Sequence, residues 1–373
     1  MPEWTLVAEG EPYETALTTL DWRSPLDDSP FTLTGPNELH AVDEGRLDFA
    51  RYRALLPVDE PFITLGGGMT PLVPGKLAGR AVWFKLDSLL PTGSFKDRGA
   101  AVVVNHLTRL GVRKVIVDSS GNAAAAMAGY AAAADMACVV YAPDDASPGK
   151  LVQARAYGAE VIPVAGTRDD VATAAHSAAE SDPSAYYSSH NWSPIFAEGV
   201  KTWALEVFEQ LGERPPAAAF VPAGGGSAFI GGWRGFAAIG SLPRLVAVQP
   251  AACAPMVRAF DTGAERAEAV QPQPTLAEGA KIGSPVRDRQ MLAAIRTSGG
   301  WATAVPEEEL VAALRELWSQ GIYAEPTAAL GAAAFRMAVT EGRPLPDGEI
   351  VVLITGSGLK ATETIANLLA ELL

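Results

Sequence analysis

From about residue 80 onward, two kinds of apolar pattern alternate along the chain. Short runs rich in valine and isoleucine are almost continuously apolar, which is typical of strands covered on both faces of a sheet. Alanine-rich stretches between them predict helices. The predicted strands are residues 115–118, 137–141, 161–165, 219–222, 245–249 and 350–354. The predicted helices are residues 123–135, 150–157, 169–181, 200–211, 231–239, 307–320, 327–340 and 360–372.

This alternation indicates an α/β fold with open, mostly parallel sheets. The chain has 373 residues, which is enough for a large buried core and for two domains. Residues 1–60 differ from the rest because they are rich in proline, aspartate and threonine and show weak periodicity. We therefore expect an irregular N-terminal extension.

Composition excludes several partners. The formal net charge is −14, so nucleic acid and anionic membrane surfaces are not expected partners, because binding phosphate arrays requires basic patches. The most apolar stretch, residues 122–136, is too short and too weakly apolar to cross a bilayer. The first residues lack a basic stretch followed by an apolar run, so we expect no secretory signal and a cytoplasmic location.

Four segments carry candidate chemistry, and the first is PTGSFKDRG at residues 91–99. Lys96 falls near the start of the next predicted helix, with Arg98 close by. A lysine at a positive helix end has its ammonium form disfavoured, which an imine-forming amine requires. Taken alone, however, an ordinary surface lysine is the commoner explanation of such a motif.

The second segment is DSSGN at residues 118–122, between a predicted strand and an alanine-rich helix. Strand ends that lead into helix N-termini are where α/β proteins bind ligands. The backbone N–H groups there suit a carboxylate, and the Asn122 side chain could hydrogen-bond a phenolic oxygen. Ordinary helix capping by serine or asparagine is the alternative.

The third and fourth segments also end predicted strands. In VPAGGGS, residues 221–227, three consecutive glycines let backbone N–H groups surround a phosphate, and Ser227 adds a hydroxyl. The spacing matches neither a nucleotide-triphosphate loop nor a dinucleotide fingerprint, and a flexible turn is the alternative. In IVVLITGSG, residues 350–358, Thr355 and two glycines follow a buried strand. A capping turn explains that segment equally well.

Taken together and in this order, the four segments resemble fold-type II pyridoxal-5′-phosphate (PLP) enzymes of the tryptophan synthase beta-like superfamily, and threonine synthases in particular. The similarity begins at about residue 62 and includes GGGMTPL at 66–72 and EPTAAL at 325–330. The resemblance implies a large PLP-binding domain, residues 61–99 and 206–373, with a small α/β domain, residues 100–205, inserted in it. It also implies a homodimer.

The same resemblance assigns roles to individual residues. Lys96 carries PLP as a Schiff base and moves the α-proton of the substrate. The other implied contacts are Asn122 on the 3′-oxygen of the cofactor, Gly224, Gly225, Gly226 and Ser227 on its phosphate, Thr355 on its pyridine nitrogen, and Ser119, Ser120 and Gly121 on the substrate carboxylate. His190 and Asn191, in YYSSHNW, are candidate substrate contacts, although a loop or interface histidine is an equal alternative for His190.

Two features of the resemblance bear on chemistry. A neutral Thr355 hydroxyl cannot keep the pyridine nitrogen protonated as a carboxylate would, which suits elimination and replacement at Cβ or Cγ rather than transamination. In many threonine synthases the N-terminal extension carries a cysteine-based zinc ribbon, but no cysteine stands there in this chain. Cys138 and Cys253 lie far apart and form no pattern, so we predict no metal and no disulfide.

The chain departs from threonine synthases where those enzymes bind the phosphate of their substrate. Their donors are a Thr after the STGN motif, an Asn in the glycine loop, and an Asn-Ser and an Arg ahead of EGQKT. The aligned residues here are Ala123, Gly225, His190-Asn191 and Phe196. A phosphate dianion without cationic or amide partners would be poorly held. Lys281 or Arg287 would then have to supply replacement donors.

The sequence therefore predicts a PLP-dependent lyase or synthase that acts on a small amino acid by elimination or replacement at Cβ or Cγ. If the usual reaction of threonine synthases is kept, O-phosphohomoserine is converted to threonine. The alternatives are an ammonia-lyase resembling serine/threonine dehydratases, or a β-replacement enzyme that makes an unusual amino acid. A catalytically silent PLP-fold binding protein is the alternative from a different class.

Overall fold

The computed structural model describes residues 4–39 and 42–372. Within these ranges, the strands in chain order are β1 (Thr5–Ala8), β2 (Glu14–Ala16), β3 (Phe31–Thr34), β4 (Leu72–Leu77), β5 (Arg80–Leu86), β6 (Lys114–Asp118), β7 (Ala137–Pro143), β8 (Glu160–Val164), β9 (Ala185–Tyr187), β10 (Ala218–Pro222), β11 (Arg244–Pro250), β12 (Trp301–Val305) and β13 (Ile350–Ile354).

The α-helices of the same ranges are α1 (Lys96–Arg109), α2 (Asn122–Ala133), α3 (Pro148–Ala156), α4 (Arg168–Ser181), α5 (Pro194–Val200), α6 (Thr202–Gln210), α7 (Ser227–Ala238), α8 (Pro255–Asp261), α9 (Asp288–Thr297), α10 (Glu307–Ser319), α11 (Pro326–Thr340) and α12 (Thr362–Leu372). Short 3-10 helices lie at Phe49–Leu55, Asp87–Leu89, Glu278–Ala280 and Gly358–Ala361. The predicted α/β class with mostly parallel sheets is confirmed.

The chain divides into two compact units. The first consists of Met1–Gly68 and Lys96–Val200, and the second of Met69–Phe95 and Lys201–Leu373. Domain boundaries at 61–99, 100–205 and 206–373 stay a prediction, because compact units of one chain are not the same as independently folding domains.

The first unit contains a four-stranded parallel sheet in the order β8-β7-β6-β9. Helix α2 covers it with alanines that are almost completely buried from Ala123 to Ala131. Helices α1 and α3 also contact α2, and burial on every side explains why this run shows no polar face. Because parallel strands end at the same edge, the loops after β6 and β9 lie side by side. The Ser188 N–H, just after β9, donates to the Ile116 carbonyl of β6 at 2.8 Å.

The N-terminal extension is more ordered than its composition suggests. Strands β1, β2 and β3 form a small antiparallel sheet in the order β2-β1-β3, with Leu6, Phe31 and Leu33 buried. The rest of this segment has little regular structure apart from the 3-10 helix at Phe49–Leu55. Three- and four-residue strands are too short to produce a readable period of two, so the sequence alone did not reveal them.

The second unit contains a six-stranded sheet in the order β12-β11-β10-β13-β5-β4. All neighbours are parallel except the edge pair of β4 and β5. The central strands β10 and β13 are buried along their whole length, as their continuous apolar sequences predict. Helix α10 buries Leu310, Ala313, Leu314 and Leu317, spaced three and four residues apart.

A buried ion pair links β5 and α6 within the second unit. The Lys85 ammonium donates to the Glu206 carboxylate, and both side chains are completely buried. Lys85 also donates to the Thr70 carbonyl at 2.7 Å and to the Gln210 side-chain oxygen at 2.9 Å. The ammonium therefore has its hydrogen bonds satisfied, which is the condition under which a charge is tolerated in a core.

No helix in residues 4–39 and 42–372 is both long and apolar enough to cross a membrane.

Candidate active site

The glycine turn of the second unit lies at the carboxyl end of β10 and leads into α7. Gly226, at φ +90°, adopts a backbone conformation that favours glycine. A Cβ on Gly226 would lie 2.6 Å from the Met291 sulfur, and one on Gly224 would lie 2.7 Å from the Ala280 Cα. Close approach to the backbone thus requires glycine at Gly224, and the backbone conformation favours glycine at Gly226. The turn leaves backbone N–H groups at the start of a 12-residue helix, which is a general anion site.

The 3-10 helix Glu278–Ala280 of this unit lies against that turn. The Gly279 N–H donates to the Thr327 hydroxyl at 3.0 Å, which ties the 3-10 helix Glu278–Ala280 to the first turn of α11. Gln249 fixes the other side, because its side-chain nitrogen donates to the Ala223 carbonyl at 2.9 Å. The predicted phosphate-binding residues therefore occupy a turn that is held rigidly from two directions.

Thr355 lies at the same edge of the sheet, at the end of β13, which pairs with β10. Its side chain is 2% exposed, and its hydroxyl oxygen has no hydrogen-bond partner among the described residues. The Thr355 carbonyl accepts from the Phe95 N–H at 2.8 Å, and Ser94 forms a β-bridge to Gly356. The segment that precedes Lys96 is thus tied to the end of β13. A buried hydroxyl without a protein partner is available to a ligand atom.

Lys96, in the first unit, begins helix α1. Its ammonium lies 5.6 Å from the centre of the Phe196 ring, which is completely buried. Phe196 packs against Gly99, where a Cβ would lie only 2.3 Å from the ring. On α5 itself, a Cβ on Gly199 would lie 2.2 Å from the Arg98 carbonyl oxygen. Glycines on both helices therefore allow α1 and α5 to cross closely and fix Phe196 beside Lys96.

The DSSGN loop follows β6 in the first unit. The Ser119 hydroxyl accepts from the Gly121 N–H at 3.3 Å, which shapes the turn before α2. A Cβ on Gly121 would meet nothing within 4 Å, so open space adjoins the loop. Asn122 is the first residue of α2. Ser119, Ser120 and Gly121 thus lie at a helix N-terminus, where the positive end of the helix dipole favours a carboxylate.

His190 and Asn191 follow β9 at the same edge of the first unit's sheet. His190 is 9% exposed, its ring centre lies 6.0 Å from that of Phe196, and its Nδ1 atom has no hydrogen-bond partner in the described part of the chain. Burial, and then the charge of Lys96, lowers the pKa of His190 well below its usual value. The imidazole is therefore neutral at physiological pH. The structure thus brings His190 together with Lys96 and Phe196.

Three further polar groups at this edge were given no role by the sequence. Tyr187 and Ser189 are almost completely buried, and the Tyr187 OH, the Ser189 Oγ and the Asp118 Oδ1 atoms have no well-formed hydrogen bond to any described residue. Burial raises the pKa of Asp118, and Arg168, Ser189 and Tyr187 act in the opposite direction. The Asp118 residue itself is half-buried. The sequence could not indicate that these polar groups are brought together, because that depends on the pairing of β6 with β9.

Across residues 4–39 and 42–372, no cluster of three or more histidine, cysteine, aspartate and glutamate side chains could hold a metal ion.

Parallel sheets with chemistry at their carboxyl edges, a glycine turn at a helix N-terminus and a lysine at the start of a helix define an α/β enzyme that binds an anionic cofactor. The model of the family described as "Pyridoxal-phosphate dependent enzyme" matches residues 63–356. This chain belongs to that family.

The curated relatives indicate which members of this family the chain is similar to. The threonine synthase of Methanocaldococcus jannaschii is 35% identical over 83% of this chain and 80% of its own length. The threonine synthase of Methanosarcina acetivorans is 34% identical over 86% of this chain and 82% of its own. Among solved structures, the threonine deaminase of T.th. has a TM-score of 0.66 and 28% identity, covering 78% of this chain and 92% of that one.

These findings confirm the recognition of a threonine-synthase-like, fold-type II PLP enzyme, its class as a PLP-dependent lyase, and PLP as its cofactor. The residues of the second unit fit this group on their own geometry. The glycine turn brings backbone N–H groups to the start of α7, where a helix N-terminus suits a phosphate, and the buried Thr355 hydroxyl can complete a hydrogen bond to a ring nitrogen. The individual roles of the predicted site residues stay predictions.

Replacing Thr355 by valine tests this fit. Because the hydroxyl has no partner in the described chain, its loss should leave the free energy of unfolding of the apoprotein unchanged or slightly raised. Cofactor affinity should fall by about tenfold, the usual value of one hydrogen bond. The measurements are thermal unfolding of the apoprotein and titration with PLP.

The control is Thr303→Val, on the edge strand β12 of the same sheet, which should alter cofactor affinity little. A clear loss of apoprotein stability in the Thr355 variant would contradict the assignment, because the hydroxyl would then serve the protein itself.

Proposed function

We propose that this protein eliminates or replaces a group at Cβ or Cγ of a small amino acid, using PLP. The observation that carries the proposal is the buried, unpartnered Thr355 hydroxyl, which no described residue satisfies, at the same sheet edge as the glycine turn. A neutral hydroxyl does not keep a pyridine nitrogen protonated, so the cofactor would be a weaker electron sink than one paired with a carboxylate. Such electronics favour elimination and replacement over transamination.

The chain supplies the remaining functions through its own residues. When bound, PLP supplies an electron sink for the α-carbon of the amino acid. Lys96 would hold the cofactor covalently and move the α-proton, and the N–H groups of residues 119–121 would orient the substrate carboxylate. Asn122 would contact the 3′-oxygen of the cofactor, while Gly224, Gly225, Gly226 and Ser227 would hold its phosphate.

The relatives support two reactions within this class. The curated relatives are threonine synthases, which favours elimination of phosphate from Cγ of O-phosphohomoserine and addition of water at Cβ to give threonine. The threonine deaminase structure favours an ammonia-lyase reaction. In that reaction the β-hydroxyl leaves as water, and hydrolysis then releases ammonia and a 2-oxo acid. A β-replacement that makes an unusual amino acid is the third member of the class.

A homodimer and a cytoplasmic location are further parts of the proposal. The homodimer rests on the resemblance to fold-type II enzymes, and the location on the sequence. Sedimentation of the purified protein should give twice the chain mass of 39.0 kDa. A species of 39.0 kDa at micromolar concentration would contradict the dimer.

The test of the reaction class is a titration of the purified holoprotein with O-phosphohomoserine, serine, threonine and O-activated serines. Absorbance of the bound cofactor reports binding, and mass spectrometry identifies the products. We expect a 2-oxo acid, a β-substituted alanine, or threonine with phosphate. Silence with every amino acid, without change in absorbance, would contradict the proposal and favour a catalytically silent binding protein.

A further inference from the structure

The carboxyl edge of the first unit's sheet concentrates buried polar atoms that lack partners among the described residues. We call Asp118, Tyr187, Ser189 and His190 the edge cluster. The last three are at least nine-tenths buried, and each cluster member has a buried side-chain oxygen or nitrogen without a well-formed hydrogen bond in the described chain. A buried polar group without a partner destabilises the protein. Asp118, Tyr187 and Ser189 lie within side-chain hydrogen-bonding reach of one another. The buried Nδ1 atom of His190 has no such neighbour within the described part of the chain, and it is the atom of the cluster that points to a polar ligand.

The charge of the edge cluster decides which ligand it can take. His190 is neutral, because burial and then Lys96 and Arg168 lower its pKa far below the usual value. Tyr187 is also uncharged, since burial and then Asp118 raise its pKa. Asp118 contributes a carboxyl group whose pKa burial raises. The cluster thus offers neutral donors and acceptors, and where Asp118 ionises it adds negative charge.

Arg168 is a cation that acts on this cluster. It is exposed at the first residue of α4, and its charge lowers the pKa of both Asp118 and His190. Where Asp118 ionises, its negative charge therefore offsets part of the positive electrostatic potential of Arg168. A solvent-exposed guanidinium also holds an anion weakly compared with a buried one.

Phe196 places an apolar wall beside Lys96 and His190. Its ring is completely buried and contacts the Gly99 backbone. It offers no hydrogen-bond donor, so the oxygens of a phosphate group against it would lose their hydration without compensation. A small, uncharged hydroxyl group would lose much less hydration free energy.

We propose that His190 and Phe196 make the enzyme specific for an amino acid whose side chain carries an uncharged hydroxyl. His190 Nδ1 hydrogen-bonds that hydroxyl, and Phe196 excludes a phosphorylated side chain. The inference rests on the proposed function, since it concerns the substrate of that same site. His190 and Phe196 are specificity-determining residues for this substrate class.

The first measurement compares hydroxylated with phosphorylated amino acids on the wild-type holoprotein. The pairs are serine with O-phosphoserine and homoserine with O-phosphohomoserine. We expect kcat/KM for the hydroxylated member of the better pair to be higher by at least about 100-fold. Binding is followed in parallel by calorimetry, so the preference is measured even where turnover is absent. A wild type that prefers the phosphorylated members overturns the inference.

Variants of Phe196 and Arg168 test which residue excludes phosphorylated substrates. Phe196→Arg should shift the ratio of kcat/KM toward the phosphorylated substrate by at least about tenfold, because a guanidinium pairs with phosphate oxygens. Phe196→Leu, which stays apolar, should leave the ratio unchanged. Equal ratios in the two variants would overturn the role of Phe196. If the arginine variant does not fold, Phe196→His takes its place, because it supplies a hydrogen-bond donor at the same position and should also shift the ratio toward the phosphorylated substrate. Arg168→Ala should not alter the preference, and a loss of phosphorylated-substrate use in that variant would overturn the exclusion by assigning phosphate to Arg168.

Variants of His190 test whether this residue recognises the hydroxyl group of the substrate. His190→Ala should lower kcat/KM for the hydroxylated substrate by about tenfold to 100-fold, and His190→Asn should restore part of it. The absorbance of the bound cofactor should be the same in all three proteins. Equal activity of the alanine variant would overturn the role of His190. Failure of every amino acid to bind or react would instead refute the proposed function.

Discussion

Replacing Lys96 by alanine is expected to abolish turnover, with a loss of at least about 10³-fold, together with the absorbance band of the covalently held cofactor. The lysine begins α1 beside Phe196, and the segment before it is tied to β13 through Phe95 and Thr355. An alanine methyl group can neither hold the cofactor covalently nor return the α-proton from that position. Turnover with the substrates identified above and the absorbance spectrum are the measurements.

Lys96→Arg is the matched control. Arginine keeps a cation near the Phe196 ring but stays protonated, so it cannot act as a nucleophile or a base. We expect this variant to unfold at the same temperature as the wild type and to be as inactive as the alanine variant. Wild-type turnover in either variant would refute the assignment of Lys96.

Replacing Glu206 by leucine is expected to lower the free energy of unfolding by about 3–5 kcal/mol. The substitution removes the Glu206 carboxylate from the completely buried Lys85 ammonium. It also removes the acceptor of the Thr70 N–H, which lies 3.1 Å from the Glu206 carboxylate. Urea unfolding of the apoprotein, followed by circular dichroism, measures the effect.

Two further variants separate charge from packing. Glu209→Leu, on a half-buried position of the same helix, should change stability by less than about 1 kcal/mol. The double variant Lys85→Met with Glu206→Leu should recover much of the loss, because no charge is then left unpaired. A double variant as unstable as the sum of its singles would show that the pair contributes no coupling energy.

The sequence predicted those elements of the fold that carry a local pattern of apolar residues. Continuous apolar runs such as Ile350–Ile354 and Ala218–Pro222 correspond to central strands, because only a sheet covered on both faces hides them completely. The sequence did not indicate β9 or β12. Strand β9 has only three residues, and its pairing with β6 joins segments about seventy positions apart. Local periodicity carries no information about such a pairing.

The sequence predicted the motifs of the candidate site but not the buried polar residues around them. Small and glycine-rich loops between a strand and a helix mark ligand sites whatever the rest of the chain does, which is why residues 221–227 were identified. Tyr187 and Ser189 gave no such signal. Their importance depends on burial and on their position beside Asp118, and both are properties of packing.

By itself, the sequence determined the α/β class, because that class follows from apolar patterns over short distances. Through the resemblance of its motifs to PLP enzymes, the sequence also indicated the family and the lysine, glycine and threonine positions of the predicted cofactor site. Only the tertiary structure decided that β9 pairs with β6, that Phe196 packs on Gly99 beside Lys96, and that His190 is buried and neutral. The physical reason is that desolvation and hydrogen-bond satisfaction depend on neighbours distant in the chain. The chemistry of the cofactor is thus encoded locally, whereas the proposed choice of substrate depends on packing.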